Sequence, residues 1–518
     1  MALYFLNIAL LADMYTKFAV LSLSISLKKL LYISLISTLA VFTSCRKDKL
    51  ITSSSAKLNF SKDSILFDTV FTSIGSTTKL FRVHNNNSGA VNISSIKLAR
   101  GSASFFRLNV DGLSGKSFTD VEIPAHDSIY IFVEVTIDPT FDPSLSPFIY
   151  RDSILFETNG NAQDVDLIAF GQNAYYHMPN KKILLSSTQA LYYEIEPCNT
   201  TWLADKPHLV YGYAVIDSAC NLTIQAGAKI YLHNNGGIWV YRYGSIQVNG
   251  TQTSPVTFQG DRLEAEYKDL PGQWDRIWIN EGSANNIINY AIIKNGFIGV
   301  HVGYTLLDGF DLPYLNNTIG NEARKLNLSN TIIQNCSFAG LLAHNYTVTG
   351  GNDLISNCGK YLGVFQYGGS YSLKQSTFAN YWSQTNNGGG SQTRTTPSFF
   401  FNNYAGTTVL AFDSLFFGNC IMDGNLTEEF QFDTLAGGFN SQAKFKFDYC
   451  IMKTQLYPIT TQHLSNQPPS FINAGAYDFH LGTNSAAGNT GSGIYSSQWP
   501  MDIEGNFRSL PDLGAYKK

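Results

Sequence analysis

Residues 213–260, YAVIDSACNLTIQAGAKIYLHNNGGIWVYRYGSIQVNGTQTSPVTFQG, permit few folds. The stretch contains five very short runs of β-formers: NLTIQAG, AKIYLHN, GIWVYRYG, SIQVNG and PVTFQG. Each stops at Gly or Asn. Alternation with period two puts Ile, Val and Phe on one side of each run and polar residues on the other. The Gly and Asn stops supply the positive-φ positions that sharp corners need. Strands this short make poor long hairpins, but stacked in successive coils they bury one continuous apolar face. The expectation is a parallel β-helix.

Corner residues extend the same pattern downstream. IIKNG, IIQNC, LISNC, TFANY and FFGNC place Asn295, Asn335, Asn357, Asn380 and Asn419 at comparable turns. Their spacings of 40, 22, 23 and 39 residues correspond to one coil, or to two coils or a coil plus a loop. Asn recurring at one corner can stack in an amide ladder, each side chain bonding the next along the axis. The cysteines follow the coils too. Cys198, Cys220, Cys336, Cys358, Cys420 and Cys450 remain after Cys45. This even number in an exported chain allows bridges between adjacent coils. The same residues also serve as small buried fillers in a stacked row.

The first 45 residues read as an address. Lys28 and Lys29 precede a thirteen-residue apolar run, 30–42, followed by Thr43-Ser44-Cys45. A run of that length before small residues is a secretory signal rather than a span. Met14 is an alternative start. Thr43-Ser44-Cys45 resembles the bacterial lipoprotein lipobox, which implies that 1–44 is removed and Cys45 is lipidated. The protein is then expected to be exported and held in the outer membrane or at the cell surface by two acyl chains. No later run is long and apolar enough to span a bilayer. Residues 46–55, RKDKLITSSS, form a polar tether, so that 45–55 links the lipid to the first domain. The net charge of −4 offers no basic face for nucleic acid.

Residues 56–174 carry longer strands at sandwich spacing: LFDTVFT, TKLFRVHN, VNISSIKLA, FFRLNV, SIYIFVEVTI, SILFETNG and DVDLIAFG. About seven strands fit an immunoglobulin-like sandwich. FRVHNNNSGAVNISSIKLARG, IPAHDSIYIFVEVTIDP and RDSILFETNG resemble the ASPM/hydin and major-sperm-protein-like domains. That resemblance implies a binding or spacer module.

Residues 175–467 are assigned to the β-helix. GDRLEAEYKDLPGQWDRIWINEGSANNIINYAIIKNGFIGVHV resembles coils of right-handed β-helix proteins of the pectate-lyase-like superfamily. The order of sandwich then helix resembles surface lipoproteins of Bacteroidetes-type bacteria. The fold class is therefore all-β, an N-terminal immunoglobulin-like sandwich followed by a right-handed parallel β-helix. Residues 304–321 and 384–408 read as loops thrown out of coils, where solenoids usually carry function. Residues 468–518 resemble the terminal segment of β-helix surface proteins. Asp502, Gly505, Arg508, Asp512, Gly514 and Tyr516 match its fold-back, which is expected to cap the open end.

The motifs of β-helix polysaccharide lyases and polygalacturonase-like hydrolases, RxPxxR, NTD, DD, GHG and RIK, are missing. One charged clump remains: Asp261, Arg262, Glu264, Glu266, Lys268, Asp269, Asp275 and Arg276. Asp261, Arg262 and Glu264 are the catalytic candidates, with a solvated loop of local ion pairs as the other reading. Tyr267 and Trp274 are candidates for stacking on sugar rings, while Trp278 in RIWIN reads as core. His233, His301 and His344 read as lone histidines. No zinc-type Cys/His spacing occurs, and no metal or other cofactor is expected. The favoured function is a non-catalytic surface module binding glycan or a surface protein, or serving structure alone. The alternative is a polysaccharide lyase or glycoside hydrolase of the β-helix kind.

Overall fold

The computed structural model describes residues 49–138, 148–185, 187–283, 285–303, 325–385, 391–435, 445–456 and 463–518. The signal segment 1–44, Cys45 and the expected loop 304–321 lie outside the described residues. The chain divides between Gly171 and Gln172 into two compact units.

The first unit is a sandwich of two five-stranded sheets whose named pairings are antiparallel. All seven expected strands are present. Three more, Asn59–Phe60, Leu113–Gly115 and Ser117–Ile123, fill the edges. Alternation does the work within each strand. In Phe148–Thr158, every second residue from Phe148 to Thr158 is buried. Phe67, Phe81, Phe106, Tyr150 and Phe156 meet between the sheets.

The second unit is the parallel β-helix. Among the described residues, its three sheets hold eleven, ten and nine strands, entered once per coil. The exception to parallel pairing is a hairpin, Lys181–Leu184 with Ala190–Ile195, at the start of the second sheet. Ala214, Ile238, Ile277, Val300, Leu341, Gly363, Phe399 and Phe430 stand in register as one interior row of that sheet. The row is aliphatic in the early coils and aromatic in the late ones. All five runs of the 213–260 stretch form strands of this stack.

The corners correct the sequence reading in two respects. Asn295, Asn335 and Asn357 share the turn between the first and second sheets, with Asn380 at the end of the strand that enters it. The expected ladder, however, joins only Asn335 Nδ2 to Asn295 Oδ1 at 2.7 Å among the described residues. Asn357 accepts from Tyr381 N, and the buried Asn380 side-chain amide has no partner among the described residues. Asn419 belongs instead to the turn between the third and first sheets. There it continues a column of Asn330, Asn352 and Gln375, all with positive φ. That column is itself a ladder: Asn352 donates to Asn330 at 2.7 Å, and Asn419 to Gln375 at 2.5 Å. The motif FFGNC imitates the first corner locally, yet the chain has turned a different one.

Cys198 and Cys220 form a disulfide between the first two coils. Cys336, Cys358, Cys420 and Cys450 are free and buried, each Sγ facing a backbone carbonyl. Contact with Cys358 and burial push the Cys336 thiol up, and burial and Cys450 do the same to Cys420. These thiols are fillers rather than nucleophiles.

The terminal segment folds back, but what it covers is a flank. Ile503, Ala515 and Tyr516 pack on Leu354 and Ala379 of the first sheet, and Leu513 packs on Ile421 and Ile451. Arg508 donates to Asn352 Oδ1 and to the carbonyls of Gly514 and Ala515. Burial brings its pKa down to about 10. Asp502 and Asp512 accept backbone N–H groups that hold the segment's turns. Gly514 has φ 82°, and a Cβ there would meet Ile421 Cδ1 at 2.7 Å. The apolar outer face of the first sheet needs cover as much as the open end does, and the segment supplies it.

One buried carboxyl carries a testable consequence. Asp353 is fully buried, with Oδ1 accepting from Thr331 N at 3.0 Å and Oδ2 without a partner. Burial raises its pKa well above the carboxylate range, against the opposing pull of the Thr331 bond. A folded-state pKa above the unfolded value makes stability greatest below about pH 4 and erodes it as pH rises toward the folded pKa. Asp353→Asn keeps the acceptor and removes the titration. Urea midpoints should show it more stable than the native chain at pH 8 and no more stable at pH 3.

Candidate functional site

A cleft of about 450 Å³ opens in the first four coils of the β-helix. One wall is the hairpin, through Leu185, Ala190, Leu191 and Tyr192. The other is made where successive coils turn into the second sheet: Tyr211 to Tyr213, then Asn234 and Asn235, then Asp275, Arg276 and Trp278. Gly212 and Asn235 take positive φ to make those turns.

Strand parity decides which side chains reach the cleft. Ile277 and Ile279 point into the core, so Trp278 between them points outward, correcting its expected place in the core. It is still buried. Its indole stacks on Trp239 of the coil before at 4.7 Å and 5°, and on His301 of the coil after at 6.1 Å. Tyr213 donates its hydroxyl to Asp275, and the Arg276 guanidinium pairs with the same carboxylate at 2.9 Å. Burial and then Asp275 raise the Tyr213 phenol well above its ordinary value, so it remains a donor. Arg276 Nη1 donates to His301 Nδ1 at 3.1 Å, which places the imidazole hydrogen on Nε2. Burial works against the Arg276 charge, but Asp275 and Tyr213 more than offset it.

The charged clump is split into three. Asp261 accepts from His233 Nδ1 at 2.7 Å, and His233 stacks on Tyr211 at 4.2 Å. Burial and Asp261 raise the Tyr211 phenol to about 12. Arg262 pairs with Glu264 at 3.1 Å and lies 3.9 Å over the Tyr267 ring, a local set of the ordinary surface kind. Asp275 and Arg276 alone line the cleft. Trp274 is a core residue with Nε1 donating to Lys294 O, not a platform for sugar. The three histidines are not lone: His233 meets Asp261, His301 meets Arg276, and His344 meets Gln366 at 3.1 Å.

Sequence reasoning missed a second polar cluster, inside the first coil. His177 Nδ1 lies 2.8 Å from Glu196 Oε1, and His177 Nε2 lies 3.0 Å from His208 Nδ1. His208 Nε2 meets Leu203 O at 3.0 Å, and Trp202 Nε1 donates to Glu196 Oε2 at 3.3 Å. Burial lowers His208 to about 4. Glu194 joins them: one ligand atom each from His177, Glu194 and Glu196 lie within 4.8 Å of one another. The available signal was the alternation in YYEIE, which turns Glu194 and Glu196 to one side of the strand.

No family model matches the chain, and no curated protein matches it. Solved structures similar to it include the catalytic unit of a thermostable GH87 alpha-1,3-glucanase from Streptomyces thermodiastaticus strain HF3-3. It is 11% identical, over 72% of this chain and 79% of that one, with a TM-score of 0.24. The Agl-KA catalytic domain is 12% identical, over 72% and 80%, with a TM-score of 0.25. A PapD-like domain of human CEP192 covers 25% of this chain and 93% of its own, at 11% identity and a TM-score of 0.16. Likenesses this faint say nothing about chemistry.

Proposed function

We propose that this is a lipid-anchored surface protein whose β-helix binds an uncharged glycan in the Tyr192–Trp278 cleft without cleaving it. The observation that carries the reading is the cleft's own lining. It offers tyrosine rings and the exposed amides of Asn234 and Asn235, with a single carboxylate, Asp275. Rings cover sugar faces and planar amides bond hydroxyls, the usual division of labour in a small-molecule site. Hydrolysis of a glycosidic bond generally needs two carboxyl groups flanking it, and the one in the cleft is already committed to Tyr213 and Arg276. With Arg276 neutralised by the same contact, the cleft has no spare cation for a uronic acid.

The test runs the purified chain over a glycan array, and in parallel assays neutral and acidic polysaccharides for new reducing ends and unsaturated products. Retention without product is the expected result, and Tyr192→Ala should weaken it about tenfold, near 1.4 kcal/mol. Tyr192 is 54% exposed, so that change leaves the fold intact. Product formation would replace binding with catalysis. Lipid attachment has its own check: Cys45→Ser should move the protein from the membrane fraction to the soluble one.

A further inference from the structure

We infer that His177, Glu194 and Glu196 form a binding site for one divalent transition-metal cation, of the zinc type, that fastens the first coil of the β-helix. His208 Nε2 faces a carbonyl, Leu203 O, and must donate. Its Nδ1 is then the acceptor, so the hydrogen between the rings sits on His177 Nε2. In a neutral imidazole this leaves His177 Nδ1 and Glu196 Oε1 as two lone-pair atoms 2.8 Å apart. Something positive belongs between them.

A proton would serve that pair but not the whole cluster. Glu194 brings a second carboxylate to the same point. That carboxylate accepts no hydrogen bond among the described residues, its backbone alone being paired in the strand ladder. An imidazolium with two carboxylates leaves a net charge of −1; a divalent cation with neutral imidazole and two carboxylates leaves none. Uncompensated charge at a partly buried site is costly. The side chains of His177 and Glu196 are only 12% and 5% exposed. Zinc takes nitrogen and carboxylate oxygen at about 2.0–2.2 Å, which separates neighbouring ligand atoms by roughly 3.5 Å. Three atoms already within 4.8 Å of one another need little movement to meet that. The supports are also those of a metal site. His177 is held through its other nitrogen by His208, and Glu196 through its other oxygen by Trp202, the outer contacts that orient ligands. The strands joined, Tyr175–His177 of the first sheet and Ala190–Ile195 of the second, begin those sheets with the hairpin partner Lys181–Leu184.

The experiment is dialysis of the purified full chain against Zn²⁺ alone, followed by metal analysis and titration calorimetry. One zinc per chain is expected, with a rise in melting temperature that a chelator reverses. Co²⁺ in place of Zn²⁺ should give the visible absorption of a low-coordinate site. Glu194→Gln should weaken binding at least about tenfold. Its side chain makes no hydrogen bond to lose, so folding is not at stake. Zinc binding absent from the native chain would leave only an imidazolium ion pair and overturn the proposal. Equal binding in Glu194→Gln would also overturn it, placing the ion elsewhere, such as the exposed His480 with Asp478 and Glu504.

Discussion

Arg394→Ala is expected to cost about 3–5 kcal/mol, the toll of leaving a buried charge without its partner. Arg394 and Glu429 have fully buried side chains and meet through two bonds, 2.8 and 2.6 Å. The arginine also donates to the carbonyls of Thr396 and Asn380 and to Asn425 Oδ1. The glutamate accepts from Ser398 N, Ser398 Oγ and Leu426 N. One pair therefore ties strand Thr377–Asn380 to the chain entering Phe399–Asn402 and to the turn before Phe430–Asp433. Removing either member strands the other in the interior, where it has no water to turn to. Replacing both by apolar residues of similar volume should cost far less, since the pair itself hardly exceeds its own desolvation. Solenoid coils depend mainly on their neighbours, so the damage should be local. Hydrogen exchange should accelerate in 377–433 in Arg394→Ala while the strands of 208–249 stay protected.

That pair shows where sequence reading stopped. Arg394 lies in a Gly- and Thr-rich stretch that reads as a loop, and its partner is 35 residues away across a coil. Nothing local announces it. The interior rows were legible because alternation is local: Leu222, Ile224, Ile230, Leu232, Ile246 and Val248 all face the core as their parity requires. At Trp278 the same alternation was read in the wrong phase: RIWIN allows either the isoleucines or the tryptophan to face inward, and the isoleucines do. The tryptophan's burial comes from stacking between Trp239 and His301, outside the coil. The local word FFGNC was readable and its corner was not, because identical turns serve two different vertices. For the cleft, Asp275 and Arg276 were visible as charges, but their separation from Asp261 and Arg262 depends on how 261–274 loops between two strands of adjacent sheets. The His177 cluster needed contacts 19 and 31 residues apart to be seen at all.

Phe399→Ala should cost about 3–5 kcal/mol, as deletion of a large buried ring does when the surroundings cannot collapse. Phe399 is fully buried in the interior row of the second sheet, stacked on Phe430 at 5.0 Å. It meets Phe378 edge-on at 5.4 Å and Phe417 at 6.3 Å. The row explains why relaxation is blocked. The residue beneath it is Gly363, which offers no side chain to move into the gap. A Cβ on Gly363 would meet Phe365 Cε2 at 2.7 Å and Phe399 Cδ1 at 3.4 Å. The coil thus trades volume between rungs, a glycine below for a phenylalanine above, and neither can change alone. Phe400 is the control, one residue on and facing the other way, half-buried against Tyr361 and Leu342 outside the coil. Phe400→Ala leaves no sealed cavity and should cost well under half as much. Chemical denaturation of the two variants, followed by exchange in 361–433, separates them. Equal losses would mean that the interior rows do not bear the stability of the late coils.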